Sequence, residues 1–434
     1  MTLTFISNYI NHHQLPFCDA CHRILGDDFI FIQTEPMAAE RLAMGWDNTG
    51  ETRSYVIHLY GTSSTLPSNP EERKAFFKKR VAFSVTPQCP GNSGEEHPEF
   101  LAGPPESDEE SPALDLILQS DVLLAGWTED AAVLAAVQER IIADKPTFLV
   151  SERIYKSGRR KIFSPRGLVR NYKERTRHRR RPYYLLCIGA HTAADFRLLG
   201  AFPQKKFRWG YFPATIHHGE ELWEQKKAAP AIRVCWAGRF IPLKRPEYMM
   251  QLARDLKRSG RHGVIDMVGA GEMEEELKDM AAAYGVSEAV HFHGFCPPER
   301  VREIMAAAHV FVLSSNNIEG WGAVLNEAMN AGCAVVASRQ AGATGYLIKD
   351  GENGFSYPGR RYQKMREIVF KLCDEPDLRE NCGRAAYKTI TETWNAEQAA
   401  QALIAACKQH PPALPNNAPA ARQDIVPPPM SPIT

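Results

Sequence analysis

The sequence predicts an α/β protein made of two doubly wound, parallel-sheet domains. Three observations carry that prediction. Short runs of β-branched, aromatic and aliphatic residues alternate with amphipathic helical segments, the order that builds parallel sheets covered by helices. The 434 residues suffice for two domains of ordinary size, and 44% are hydrophobic, enough for two buried cores. The stretch IEGWGAVLNEAMNAGCAVVAS (Ile318–Ser338) lies between the apolar runs HVFVLSS and CAVVAS, a strand–loop–helix–strand unit whose loop is where such sheets bind ligands.

Taken in order, the first domain spans 1–215. TLTFIS (Thr2–Ser7) reads as a buried strand. Asn11, His12 and His13 follow in a polar loop at the carboxyl edge of the sheet, where a ligand is expected to face them. Leu15–Leu25 has helical apolar spacing, and Phe29–Gln33 and Tyr55–Tyr60 read as strands. Cys18-Asp19-Ala20-Cys21-His22 has the spacing of a haem attachment site and of a redox pair. Without an export signal, the favoured reading is two small thiols packed in the first helix. Residues 61–112 turn to Pro, Ser, Gly and Glu and read as an irregular insertion with one amphipathic piece at 71–85. Regular structure resumes with a helix, a strand at Val122–Ala125, a helix at Glu129–Ala143 and a strand at Thr147–Val150. Leu185–Ala190 is expected to be the last strand of this domain, with 216–231 as a linker.

Charge is segregated. Residues 153–181 carry 13 Lys/Arg and one acid, leaving the remainder of the chain net acidic by 11 within an overall +1. An anionic membrane surface or a lipid-linked acceptor fits this segment. Nucleic acid is not expected, because no recognised binding motif accompanies the interleaved tyrosines. No apolar run reaches the ~18 residues that span a bilayer. The N-terminus lacks a secretory layout, and the ten cysteines form no framework. The expectation is a cytoplasmic protein, peripheral on the inner face of the plasma membrane.

The second domain, 232–390, opens with IRVCWAGRF. Arg239 and Lys244 project from one loop, where both suit a diphosphate: Arg by bidentate geometry, Lys as a compact charge. Gly269-Ala270-Gly271 is a weak signal with no third glycine, and reads as tight packing beside a nucleotide. The backbone near Phe295 is a seat for a base. Glu319 and Glu327 stand eight positions apart around Gly320-Trp321-Gly322, Glu319 ahead of the turn and Glu327 about a turn and a half into the helix. The two carboxylates thus reach opposite ends of one ligand lying over free N–H groups. No second Cys/His group completes a metal site. A helix is expected over 391–410, and 411–434 is expected to be a disordered tail.

GRFxxxK (Gly238–Lys244), VGAGxxxxxL (Val268–Leu277), VHFHGF, EGWGAVLNE and DGENGF occur in an order that resembles retaining glycosyltransferases of family 4, which have the GT-B fold of two Rossmann-like domains. The opening SNYINHHQLPF resembles a bacterial subgroup often associated with polysaccharide assembly. The correspondence covers 232–395 strongly and the earlier part in patches. It implies that the two domains face across a cleft, that the 391–410 helix returns to the first domain, and that Arg239 and Lys244 hold the diphosphate of a UDP- or GDP-linked sugar. Glu319 would touch the transferred sugar, Trp321, Gly322 and Ala323 would cap phosphates by their backbone, and Glu327 would accept ribose hydroxyls. His13 would face the sugar or acceptor, a saccharide or a lipid-linked species. No cofactor or metal is implied, since no Asp-x-Asp pair is present. Arg245 replaces a common glycine, and AGATGYLIKDG lacks the acidic residue of the GG-x-x-E segment. A GT-B sugar-nucleotide epimerase and an inactive sugar-nucleotide-binding subunit remain alternative readings.

Overall fold

A computed structural model gives the fold and describes residues 1–38, 49–59, 112–156, 164–408 and 428–433. All but Pro112 of the expected insertion over 61–112, residues 157–163 of the basic segment and most of the expected tail lie outside them. The first sheet has β1 (Leu3–Ser7), β2 (Phe29–Gln33), β3 (Val56–His58), β4 (Val122–Ala125), β5 (Thr147–Ser151), β6 (Tyr183–Ile188) and β7 (Lys206–Trp209). Their order is β3-β2-β1-β4-β5-β6-β7, and every pair is parallel. The second has β8 (Ile232–Ala237), β9 (Gly263–Val268), β10 (Val290–Gly294), β11 (Val310–Leu313), β12 (Ala334–Ser338) and β13 (Phe355–Tyr357). It runs β10-β9-β8-β11-β12-β13, also parallel throughout.

Strands such as Val310-Phe311-Val312-Leu313 are buried on both faces, as helix-covered parallel strands must be. Strand order reverses between β1 and β4 in one sheet and between β8 and β11 in the other. Those switch points open crevices at the carboxyl ends of the strands. They bring together the loops after β1 and β5 on one side and those after β8 and β11 on the other.

The linker holds regular structure and is anchored to the second domain. Glu221–Ala228 is a helix, and buried Lys226 donates to the carbonyls of Met305 and Ala308 in the second domain. Ile216 exchanges hydrogen bonds of 2.8 and 2.9 Å with the Asn330 side chain. Two expectations need correction. The strand at Tyr183–Ile188 is not the last of its sheet, because β7 follows it. The tail is ordered at its end: Pro432 pairs antiparallel with Phe207, and Met430 and Ile433 donate to Arg208 and Lys206 carbonyls at 2.9 Å. Six residues thereby cover the edge of β7 that the sheet leaves unpaired.

The helix Ala396–Lys408 packs on the helix Leu15–Leu25, where Arg23 pairs with Glu397. Cys18 and Cys21 are fully buried there, and burial pushes both thiols well up. Neither is the exposed, low-pKa thiolate that redox or haem chemistry requires.

Candidate active site

The loop after β8 is held to the end of β11 by a chain of bonds. Trp236 Nε1 donates to Ser314 Oγ at 2.8 Å, and Ser314 Oγ donates to the Lys244 carbonyl at 2.6 Å. Asn316 N donates to the Leu243 carbonyl at 2.8 Å. This anchoring lets Lys244 meet a residue 75 positions away: its ammonium donates to Glu319 Oε2, which also accepts from Ser315 Oγ at 3.0 Å. Burial alone would raise the Glu319 carboxyl. The charge and hydrogen bond of Lys244, with Ser315 and then Lys156, outweigh burial and hold it below its ordinary value.

Arg239 stands exposed at the mouth of this loop, and among the described residues no acid pairs with it. The departure at Arg245 has a local explanation. Its φ is +52°, the left-handed region that favours glycine, and its guanidinium ties the turn to Gln340 at 3.1 Å and to the Gly359 carbonyl. Gly269 packs the neighbouring loop against this one: a Cβ there would lie 2.0 Å from the Gly238 carbonyl oxygen. Phe295, just past β10, is exposed.

The turn Gly320-Trp321-Gly322 leads into the helix Val324–Asn330, so Glu327 sits in its first turn, earlier than the expected turn and a half. Among the described residues the backbone N–H groups of Gly322, Ala323 and Val324 have no acceptor. The Trp321 side chain points the other way. Its Nε1 donates to Asn326 at 2.9 Å, its ring stacks on Trp394 at 5.9 Å and it lies against the Gly210 backbone. Its backbone carbonyl accepts from Ala343 N at 3.0 Å. Burial pushes the Glu327 carboxyl up to about 7, with Arg302 pulling the other way.

From the first domain, His13 stacks on Tyr211, with ring centroids 5.7 Å apart. Burial, helped by the neighbouring His12, pulls its pKa well down, so it is a neutral imidazole near pH 7. Asn11 is used locally: its side chain accepts from His13 N at 3.0 Å and donates to Gln14 at 2.9 Å, closing the turn before the first helix. Tyr211 and Glu152, which the sequence reading passed over, join here with Arg153 and Lys156, read there only as part of the basic segment. Tyr211 Oη donates to Glu152 Oε1 at 2.9 Å, Glu152 pairs with Lys156, and Arg153 donates to the Asn317 carbonyl at 3.1 Å across the cleft. Their only signal in the sequence was position: Glu152 to Lys156 directly follow β5.

The domains meet along three glycines. A Cβ on Gly189 would lie 2.8 Å from the Gly320 carbonyl oxygen and 2.9 Å from Gly342 Cα, and Ala190 N donates to the Gly342 carbonyl at 3.0 Å. Gly345, in the segment without the expected acid, faces Ala190: a Cβ there would lie 2.7 Å from the alanine methyl. This seam leaves no room for a longer side chain at 345.

The basic segment is only partly a free positive surface. Arg153 pairs with Asp195, Arg175 with Glu174 and Arg181 with Asp144. Arg166, Arg170 and Lys173 remain exposed on the helix Pro165–Glu174, beside exposed Leu168, Val169 and Tyr172. Among the described residues no cluster of His, Cys, Asp and Glu suits a metal ion, and no helix is long and apolar enough to cross a membrane.

Comparison with known proteins fits this geometry. Residues 219–389 match the family described as glycosyl transferases group 1. An uncharacterized glycosyltransferase of Methanocaldococcus jannaschii is 30% identical over 178 residues, 41% of this chain and 45% of that protein. A D-inositol 3-phosphate glycosyltransferase of Streptomyces griseus is 32% identical over 161 residues, 35% of this chain and 34% of that one. The chain thus spans less than half the length of these curated relatives. The Anabaena HepE structure in complex with UDP superposes with a TM-score of 0.64 at 14% identity, covering 94% of this chain and all of that one. WaaG, a glycosyltransferase involved in lipopolysaccharide biosynthesis, gives 0.52 at 14% identity over 90% and 95% of the two chains. These likenesses establish the shared fold. Residues 219–389 thus resemble the glycosyl transferases group 1 family, and the fold is the GT-B architecture of two parallel-sheet domains.

Proposed function

We propose that this chain is a retaining glycosyltransferase. It would move a sugar from a nucleoside-diphosphate sugar to a saccharide or lipid-linked acceptor in cell-surface polysaccharide or glycan assembly. One observation carries the reading: the Lys244–Glu319 pair shares its loop with Arg239, which meets no acid among the described residues, and Glu319 lies against Gly322, the first of the open N–H groups of residues 322–324. Departure of a nucleoside diphosphate puts negative charge on phosphate and positive character on the sugar ring. Arg239, Lys244 and the N–H groups answer the first, and Glu319 the second. Same-face attack, with a donor phosphate oxygen taking the acceptor's proton, gives retention without an enzymic nucleophile. Phe295 and Gly269 border the base, Glu327 takes the ribose hydroxyls, and His13 with His12 faces the sugar or acceptor.

HepE is also solved with UDP-glucose, so UDP and UDP-glucose head the panel to be tested. The test is a thermal-shift series of nucleoside diphosphates followed by product analysis in EDTA. A Tm rise with UDP or GDP and EDTA-insensitive, acceptor-dependent transfer are expected. Turnover of donor alone to an epimer, or binding without turnover, would replace this reading by one of its rivals.

Glu327 adds a pH signature. Its folded pKa lies above the ordinary carboxyl value, so the native state keeps a proton that the unfolded chain has lost. Its contribution to stability therefore falls as pH rises from about 4.5 to 7. Ribose hydroxyls donate to the ionised form, so nucleoside diphosphate affinity should rise roughly tenfold from pH 6 to pH 8. Glu327→Gln should flatten that component, which separates it from titration of the phosphate. A slope unchanged by the substitution would take Glu327 out of the site.

The helix carrying Arg166, Arg170 and Lys173 is the part of the basic segment best suited to an anionic membrane. Replacing all three by Glu should abolish sedimentation with anionic vesicles. Equal sedimentation of the variant would remove the membrane reading.

A further inference from the structure

The cleft holds a second acid–lysine pair that the preceding scheme leaves unused. Glu152 follows β5, at the carboxyl edge of the first sheet. One carboxylate oxygen accepts from Tyr211 and the other from Lys156. The carboxylate lies against the backbone of the opposite domain: a Cβ on Gly320 would fall 2.1 Å from Glu152 Oε2. Glycine at 320 therefore admits the carboxylate one residue away from Glu319. Lys156 is close enough to Glu319 for its charge to help keep that carboxyl ionised, and Tyr211 feels both acids. Two acids and two lysines, one pair from each domain, thus balance across the closed cleft.

We propose that Glu152 and Lys156 form the first domain's half of the sugar subsite, Glu152 accepting hydroxyls of the transferred sugar and Lys156 compensating Glu319 once diphosphate draws Lys244 away. The inference rests on the sugar-transfer reading and deepens it. A diphosphate brings two or more negative charges to Lys244, which then cannot remain the sole partner of Glu319. A second cation already within that field keeps the carboxylate from standing alone in a partly buried place. Glu152 is preoriented by the Tyr211 hydroxyl, and Tyr211 is itself fixed by its His13 stack and by Asn326, whose amide donates to its carbonyl at 3.3 Å.

The experiment compares Glu152→Gln, Lys156→Met and Lys156→Arg in the full chain, with the UDP or GDP dissociation constant and donor turnover measured separately. Nucleoside diphosphate contacts come from the second domain, so its Kd should stay within about threefold of the parent. The kcat should fall by about 30-fold or more in the first two variants, and Lys156→Arg should recover most of it. Tyr211→Phe provides a milder variant that keeps the ring stack, with kcat expected to fall about tenfold at unchanged Kd. Should the first two variants misfold, Tyr211→Phe decides the matter. Normal kcat in the folded variants, or parallel loss of nucleoside diphosphate affinity, overturns the proposal. A parent protein that binds no nucleoside diphosphate and transfers no sugar overturns the underlying reading instead.

Discussion

Lys244→Ala should lower sugar transfer by about 100-fold or more, the loss expected when one preorganised charge is removed from a developing diphosphate. The lysine has two tasks. It is positioned to meet the leaving group, and until then it keeps a mostly buried carboxylate ionised. Without it, burial, already the largest influence on Glu319, is opposed by Ser315 and Lys156 alone among the named partners, and the carboxyl pKa should move up. The loss should therefore be deeper at low pH than at high pH. Because the two side chains touch, the double variant Lys244→Ala/Glu319→Gln should be less damaged than the sum of the single losses. Steady-state kinetics at two pH values, with nucleoside diphosphate affinity read by thermal shift, makes the check. A variant with near-parental kcat would remove the diphosphate role of the loop, and additive losses would mean the pair does not act as a unit.

The strands and helices that obey simple periods were readable in advance. Leu15–Leu25, Phe29–Gln33 and Val122–Ala125 have the expected bounds because an apolar face or a fully apolar run specifies each of them. What escaped depends on distant partners. KFRW looks polar, yet Lys206 is buried by donating to the Phe202 carbonyl at 2.9 Å, and the far end of the chain pairs with this strand. EQKKAAPA looks like a tether because nothing local shows that Lys226 will find the Met305 and Ala308 carbonyls.

The site divides in the same way. Arg239, Lys244, Glu319 and Glu327 could be picked out because their motifs occur in order, and the structure joins Lys244 to Glu319. Glu152, Lys156 and Tyr211 were invisible as a group. Lys156 was absorbed into a basic run, and Glu152 meets Tyr211 from 59 positions away. Asn11 was chosen for its polarity alone, and that polarity is consumed by a turn.

Gly189→Ala should abolish most turnover while sparing nucleoside diphosphate binding. The added methyl would stand 2.8 Å from the Gly320 carbonyl oxygen and 2.9 Å from Gly342 Cα. Both are backbone atoms of the opposite domain, so no side-chain rotation relieves the contact. At a φ of +89° the alanine is strained as well. The direct relief is to part the domains at the seam, which carries Glu152 and His13 away from Glu319. Arg239, Lys244 and Glu327 belong to the second domain and would keep their arrangement. A displacement of about 1 Å between reacting groups costs on the order of 100-fold in rate, which sets the expected fall in kcat. Gly342→Ala approaches the same seam from the other side, with its Cβ 1.9 Å from the Gly320 carbonyl oxygen. It also displaces the turn that bears Glu319, so it should lose affinity in addition to rate. The two variants then separate two effects: loss of rate alone reports opening between domains, and loss of both reports damage within the donor loop. If Gly189→Ala turned over normally in a folded protein, the domains would not need to meet at this seam for sugar transfer. The first domain's residues would then have no part in the reaction at the positions they occupy here.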